Sequence, residues 1–334
     1  MHGTNPTVES CKRPVTVGVA IRFESPAALE RFLGQLAAAA RQLDRLTEVE
    51  VVFCLNGAAE RTQAYLEAQT KALDHFDLPF ACIESKPGKI NAHHAVARAR
   101  KFKGHLLYVD ADVCFESDTF CKLYSALLAR TEAQAFCAHV EALPSVATGW
   151  FRAIQDAYYQ SRHRLPPRRH LHGRCFLLRE WLDAFAAPGN VPPDDLSRST
   201  EAHLALQKGP AVDDIHYSRV LVHRNGSDAI AQVTDACVRF VPPDSVGELY
   251  RDSFRTEFEL IRLARLFPEH DAVEKEVFAR VPAWKRCLDS MRLAGPLAAA
   301  YVTLETTMRA IARHLIIHRK TGPYWQGRGQ NHHG

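Results

Sequence analysis

Apolar β-branched runs alternate with segments of helical apolar spacing along the first third of the chain. Residues 15–21 and 49–55 are continuous apolar runs, which are typical of strands buried on both faces of a parallel sheet. Residues 26–43 lie between them, with apolar side chains at helical spacing and a proline in the first turn. A later buried run, residues 105–109, ends at Asp110. This alternation predicts right-handed βαβ units and an α/β fold with a parallel sheet.

Polar residues follow two of these predicted strands. Asn56 comes after the second strand and Asp110 after the fourth. Ligands of such sheets bind beyond the carboxyl ends of the strands, so we expect function at this edge. The same patterns predict further helices over residues 61–73, 89–101, 119–130, 150–165, 245–267 and 283–319, and further strands over residues 80–84, 135–141 and 233–241.

The composition is that of an ordinary globular protein, with 46% hydrophobic and 24% charged residues among 334. A formal net charge of +4 is too mild to indicate a nucleic-acid partner. The N-terminus lacks the pattern of a secretory signal, and no apolar stretch reaches the ~18–20 residues that span a bilayer. Nine cysteines without a CxxC pair indicate free thiols in a reducing cytosol, so we expect a cytoplasmic protein.

Asp110 and Asp112 bring two carboxylates to the end of a buried strand. Hard oxygen ligands of this kind suit Mn²⁺ or Mg²⁺, which would bridge the oxygens of a diphosphate. The pattern Asp-x-Asp is common by chance, and two aspartates at a strand end also serve to cap and solubilise a turn. The position after the fourth strand of an α/β half favours the metal site.

Four segments, in this order and spacing, resemble family 2 glycosyltransferases of the GT-A fold. They are VTVGVAI at 15–21, VEVVFCLNG at 49–57, KPGKINAHHAVARA at 86–99 and HLLYVDADV at 105–113. Further along, the run beginning His172-Gly173-Arg174 looks like the family's acceptor loop, and Asp213-Asp214 is similar to its acidic pair. The resemblance covers about residues 15–260 and implies a Rossmann-like, mostly parallel central sheet flanked by helices.

The resemblance also implies an activity and the roles of individual residues. The protein would be an inverting, metal-dependent hexosyltransferase that uses a nucleotide-diphosphate sugar, with a UDP-sugar as the expected donor. Asp112 and Asp110 would hold the metal and the donor. Asp214 would deprotonate the acceptor hydroxyl, with Asp213 orienting it. The other donor-binding candidates are Ala20, Arg22, Asn56, Lys89 and Arg255.

The acceptor would be a glycan, a lipid-linked sugar or a small molecule, and it would meet the loop of residues 172–174. The identity of the catalytic base remains open, because Asp194-Asp195 matches the family's acidic pair too. We prefer Asp214, since only its downstream sequence matches the family. In the family an aspartate at the position of Asn56 pairs with the nucleotide base. With Asn56 there, the preference for one nucleotide over another stays open. Lys89 and Arg255 are alternatively interpreted as lysine and arginine on helix surfaces.

The sequence divides into an N-terminal tail (1–14), a nucleotide-sugar-binding half (15–130), an acceptor-binding and catalytic half (131–260), a C-terminal helical extension (261–320) and a flexible tail (321–334). We expect the C-terminal helix to pack on the catalytic domain. The alternative is peripheral contact with an anionic membrane, because the end of this helix is basic. No pattern indicates an oligomeric state.

Two other functions compete with glycosyl transfer. A sugar-nucleotide nucleotidyltransferase also binds nucleotides on an α/β sheet, but it needs a glycine-rich basic loop after the first strand, and residues 20–30 contain no glycine. A catalytically degenerate scaffold protein is the second alternative. The altered position at Asn56 favours the scaffold, whereas the retained Asp110, Asp112 and acidic pair argue against it.

Overall fold

A computed structural model describes residues 13–21, 26–56, 66, 78–86, 88–162, 170–185, 213–270, 272–273 and 281–318. The predictions for Arg22, for Asp194-Asp195 and for the tail 321–334 lie outside these residues. The predicted helix 61–73 also lies outside them, apart from Leu66, which is helical and buried.

One mixed sheet of eight strands runs through the described residues. The strands are β1 (Val15–Ile21), β2 (Val49–Asn56), β3 (Phe80–Ser85), β4 (His105–Asp110), β5 (Val113–Phe115), β6 (Ala135–Ala142), β7 (Cys175–Leu178) and β8 (Ile230–Phe240). Their order in the sheet is β3-β2-β1-β4-β7-β6-β8-β5. Strands β1 to β4 form the predicted parallel unit, and β6 pairs with β8 in parallel. The pairs β4–β7, β6–β7 and β5–β8 are antiparallel.

Helices cover both faces of this sheet. They are α1 (Pro26–Asp44), α2 (Lys89–Ala99), α3 (Thr119–Ala129), α4 (Gly149–Ser161), α5 (Asp213–Asn225), α6 (Val246–Leu266), α7 (Ala283–Ala294) and α8 (Pro296–Ile317). Buried side chains of α1 and α3 pack with one face of the strands, and those of α2 and α5 pack with the other. The α/β prediction is therefore confirmed, and the bounds of β1 to β4 agree with the predicted ones to within one residue.

The single helix predicted over residues 283–319 is wrong, because two helices occupy this stretch. Gly295 has a φ of 84°, a left-handed conformation that interrupts the helix and favours glycine. Pro296 then begins α8 at a position where its missing N–H costs nothing. Helix α5 was not predicted at all. Seven consecutive residues, 216–222, are buried in it, so the sequence shows no clear apolar stripe.

The C-terminal helix packs on the domain, as predicted. Tyr301 and Val302 of α8 are buried with Phe151 and Tyr158 of α4 and with Leu249 of α6. None of the helices in the described part of the chain combines the length and apolar character needed to cross a membrane. All eight cysteines among the described residues are free thiols.

Glu50 links elements at the amino ends of the parallel strands, opposite the edge where ligands are expected. Its buried carboxylate accepts hydrogen bonds from the Thr16 hydroxyl at 2.7 Å and from the N–H groups of Lys101 and Phe102 at 3.1 and 2.9 Å. These contacts join β1, β2 and the turn before β4. A buried polar group that loses its partner is costly, so this carboxylate stabilises the strands that carry the site.

We expect Glu50→Ala to lower the free energy of unfolding by about 2–4 kcal/mol, because three donors lose their acceptor. Urea denaturation followed by circular dichroism measures this change. The exposed Glu48 provides the matched control, and Glu48→Ala should change the stability by less than about 0.5 kcal/mol. Equal effects of the two substitutions would contradict this role for Glu50.

Candidate active site

The carboxyl ends of β1, β2 and β4 meet at one edge of the sheet. Ala20 is the register partner of Asp110 across the β1–β4 pair, so both candidates lie side by side. Strand β4 ends at Asp110, whose backbone N–H donates to the carbonyl oxygen of Arg174 at 2.9 Å. Asp112 follows in the turn before β5, and half of its side chain (51%) is exposed. The edge therefore presents one confined carboxylate and one accessible carboxylate.

Lys89, in the first turn of α2, lies at the centre of this edge. Its Nζ atom is 2.8 Å from Oδ1 and 3.0 Å from Oδ2 of Asp110 and 3.4 Å from Oδ1 of Asp213, and it donates to the carbonyl oxygen of Gly173 at 2.9 Å. Burial by itself would lower the pKa of Lys89, but the carboxylates of Asp110 and Asp213 outweigh burial and raise this pKa. The side chain is therefore a fixed cation within a carboxylate cluster, not an exposed helix lysine.

The acidic pair begins α5 and reaches the same edge. Asp213 is almost fully buried, and burial raises the pKa of its carboxyl group, with Lys89 opposing the shift in part. Asp214 is less buried, and its carboxylate accepts the N–H of Gly173 at 3.3 Å and the N–H of Ile215 at 2.9 Å. The two neighbouring aspartates thus occupy different environments, with Asp213 against the cation and Asp214 against the loop.

The predicted acceptor loop joins the two carboxylate groups. The carbonyl oxygen of Gly173 accepts a hydrogen bond from the Lys89 ammonium group, and the N–H of Gly173 donates a hydrogen bond to the Asp214 carboxylate. A Cβ atom at Gly173 would lie 3.2–3.3 Å from side-chain atoms of Asp213 and Asp214, so a larger residue there would require the pair to shift by a few tenths of an ångström. Arg174 stacks over the Phe240 ring at 4.0 Å, and its guanidinium lies 3.9 Å from Asp112. The loop thus contacts both Asp214 and Asp112.

A buried polar layer under Asp213 was missed by the sequence analysis. His93 Nδ1 is 3.1 Å from the Tyr217 hydroxyl and 3.9 Å from Oδ2 of Asp213. The Tyr108 hydroxyl donates to the carbonyl oxygen of His93 at 2.8 Å. Burial and the neighbouring Lys89 hold the pKa of His93 well below its ordinary value, so the ring is neutral. The available signal was a histidine on the apolar face of α2 one turn after Lys89.

Two donor-binding candidates have other contacts. Asn56 is buried, and its amide oxygen accepts the N–H of Gly88 at 2.7 Å, which holds the turn before α2. Gly88 has a φ of 128°, in the region that favours glycine. Arg255 lies half exposed on α6, 3.7 Å from Asp252 on the same helix. Among the described residues no contact joins Arg255 to the carboxylate cluster. His172, by contrast, lies in the acceptor loop. Burial is the main cause that holds its pKa well below the ordinary value, and the positive charge of Arg174 lowers this pKa further.

The carboxylates at this edge fit a divalent metal that arrives with a diphosphate. Within the described ranges, no group of three or more His, Cys, Asp or Glu side chains is arranged to enclose a metal ion. Mg²⁺ usually binds through one or two carboxylates together with substrate phosphates. Asp112 supplies an accessible carboxylate, whereas both oxygens of Asp110 are already bonded to Lys89. Asp112 is therefore the main ligand candidate, and Asp110, whose oxygens each keep a further lone pair, is the second one.

The fold is also found in a solved enzyme structure. No protein-family model matches the chain, and no curated protein matches its sequence. The mannosyltransferase PcManGT from Pyrobaculum calidifontis, solved in complex with GDP-Man and Mn²⁺, matches with a TM-score of 0.55 and 16% identity over 93% of this chain and 88% of that chain. This likeness shows the fold, and the architecture is the expected GT-A fold.

A second solved structure is similar at a lower level. Glucosyl-3-phosphoglycerate synthase from Mycobacterium tuberculosis, in complex with Mn²⁺ and UDP-glucose, matches with a TM-score of 0.47 and 16% identity over 79% of this chain and 85% of that chain. The class of fold therefore rests on the mixed sheet of eight strands and on the first match.

Proposed function

We propose that the protein is an inverting, metal-dependent glycosyltransferase, which moves a sugar from a nucleotide-diphosphate donor to an acceptor hydroxyl. The observation that carries the proposal is the convergence of two carboxylate groups at the carboxyl edge of the parallel strands. Lys89 contacts Asp110 of one group and Asp213 of the other. A reaction of this type needs a group that holds the leaving diphosphate and a base for the acceptor, side by side.

Asp112 is the proposed ligand of Mn²⁺ or Mg²⁺, with Asp110 beside it. Bound there, the metal would neutralise the negative charge that develops on the diphosphate leaving group. Arg174 lies 3.9 Å from Asp112 and adds a second cation on the donor side. The complex of PcManGT with GDP-Man and Mn²⁺ supports a nucleotide sugar and a metal as the partners of this fold.

Asp214 is the proposed base. The acceptor oxygen attacks the anomeric carbon, its proton passes to the Asp214 carboxylate, and the bond from that carbon to the diphosphate breaks. The N–H groups of Gly173 and Ile215 orient the carboxylate. Asp213 is a positioning residue, since its buried carboxylate holds Lys89 beside the base. The greater exposure of Asp214 supports this division of roles, because a base must reach the acceptor.

A binding screen with Mn²⁺ tests the proposal. Binding at a concentration of 100 times Kd stabilises the folded state by about 2.7 kcal/mol, so the matching nucleoside diphosphate should raise Tm by several degrees. UDP and GDP are both included, because the amide oxygen of Asn56 is already bonded within the protein. A UDP-sugar is the expected donor. Its turnover should release UDP, whereas a nucleotidyltransferase would release or consume pyrophosphate. If no nucleotide binds in the presence of Mn²⁺, the proposal is wrong.

A further inference from the structure

Helix α7 carries an apolar stripe that faces away from the rest of the protein. Trp284 is 68% exposed, Met291 is 47% exposed and Leu288 is 39% exposed. Val281 before the helix and Leu297 in the first turn of α8 extend the stripe, at 46% and 49%. Ser290 is the one buried residue within α7. These five side chains, which we call the α7 stripe, make up five of the twelve large hydrophobic residues exposed in the described part of the chain.

The three residues of the stripe within α7 lie on one face of the helix. Positions 284, 288 and 291 follow the i, i+4, i+7 spacing that aligns side chains along a helix. Other positions of α7 make its tertiary contacts: Arg286 pairs with Glu305 of α8 at 2.8 Å, and the Cys287 sulfur is 3.9 Å from the carbonyl oxygen of Ala299. The helix is thus held by these positions, and the stripe is left in contact with solvent.

Unpaired cations border the stripe. Lys285 and Arg292 lie next to it in the helical projection and are exposed, and neither forms an ion pair with any residue that the structure describes. The basic end of α8 differs in this respect. Arg309 lies 3.1 Å from Glu305 and 3.8 Å from Glu257, and Arg313 lies 3.9 Å from Glu257. Among the described residues, the unpaired lysine and arginine of this region therefore lie beside the α7 stripe, and Arg319 and Lys320 at the end of the predicted helix lie outside these residues.

We propose that the α7 stripe docks on an anionic lipid bilayer, with Trp284 at the level of the headgroups and with Lys285 and Arg292 over their negative charges. Tryptophan favours this interface because its ring is apolar with one polar edge. Basic side chains are attracted to the negative surface potential of such a bilayer, and apolar side chains that enter the headgroup region strengthen the binding.

A second copy of the chain fits the stripe less well. Two stripes packed face to face would bring Lys285 and Arg292 of one copy close to those of the other. Five partly exposed side chains also offer only a few hundred Å², below the ~800 Å² per partner of a standard interface. An anionic bilayer can contact the apolar side chains of the stripe and also pair its negative headgroups with Lys285 and Arg292.

Vesicle co-sedimentation of the full chain tests the proposal. Vesicles of phosphatidylcholine with about one quarter phosphatidylglycerol should bind the protein, and vesicles of phosphatidylcholine alone should bind it about 10-fold more weakly. Trp284→Ala and the double variant Lys285→Glu/Arg292→Glu should each weaken binding to the mixed vesicles about 10-fold. Trp150→Ala is the matched control, because Trp150 is a 64% exposed tryptophan at the start of α4 and should have no effect.

The outcomes are separate from those that concern glycosyl transfer. Trp284→Ala should leave the nucleotide-induced rise in Tm unchanged, so a failure to bind vesicles does not depend on the proposed activity. The proposal is overturned if the mixed vesicles do not bind the protein, or if Trp150→Ala weakens binding as much as Trp284→Ala. It is also overturned if sedimentation shows a dimer that Trp284→Ala dissociates, since the stripe would then be an interface between two copies.

Discussion

Asp112→Asn is expected to lower the rate of sugar transfer by about 10³-fold, which corresponds to about 4 kcal/mol of transition-state stabilisation. The amide keeps the shape of the carboxylate but loses its charge, so it is a poor ligand for Mn²⁺ or Mg²⁺. The side chain is half exposed, and removing its charge should leave the fold intact. Release of nucleoside diphosphate measures the rate, and calorimetric titration of UDP with and without Mn²⁺ measures donor binding.

A matched control lies six residues further along the chain. Asp118 has a similarly exposed carboxylate, at 47%, and pairs with Lys122 on the surface of α3 at 2.8 Å. Asp118→Asn should leave both the rate and the Mn²⁺-dependent binding within about twofold of the parent protein. If Asp112→Asn binds UDP as tightly as the parent and the binding still depends on Mn²⁺, Asp112 is not the metal ligand.

The sequence predicts the donor side of the site better than the acceptor side. Strands β1, β2 and β4 are continuous apolar runs whose ends the sequence predicts to within one residue, so Asn56 and Asp110 lie at the carboxyl ends of their strands as expected. The acceptor side depends on contacts between residues far apart in sequence. Gly173 is 84 residues from Lys89 and 41 from Asp214, and hydrophobic periodicity carries no information about such contacts.

Lys89 illustrates what a sequence pattern leaves undecided. A lysine in the first turn of a helix is ordinarily solvated, and placing a cation there opposes the helix dipole. Here Lys89 contacts Asp110 and Asp213, and these two carboxylates outweigh both burial and the dipole. No local pattern predicts that α5, which lies more than 100 residues later, supplies the second carboxylate. The Gly295–Pro296 break, by contrast, was present in the sequence and should have ended the predicted helix.

Asp214→Asn is expected to lower the rate of transfer by about 10²–10⁴-fold while donor binding is retained. An amide accepts no proton at neutral pH, so the acceptor hydroxyl would have to attack without a base. In the proposed arrangement the donor lies on the other side of the cluster, at Asp112 and Arg174, so the Mn²⁺-dependent binding of UDP should stay within about twofold. The measurements are the release of nucleoside diphosphate under saturating donor and the calorimetric titration of UDP.

Two further variants decide between the candidate bases. Asp213→Asn removes a buried carboxylate that contacts Lys89, so it should reduce the rate less than Asp214→Asn, and thermal unfolding will show whether it also lowers stability. Asp195→Asn should be nearly neutral if Asp214 is the base, because the Asp214 carboxylate already accepts the N–H of Gly173 and its neighbour Asp213 contacts Lys89. If Asp195→Asn instead abolishes transfer and Asp214→Asn does not, the base is Asp195. The Asp213-Asp214 pair would then serve only to position Lys89 and Gly173.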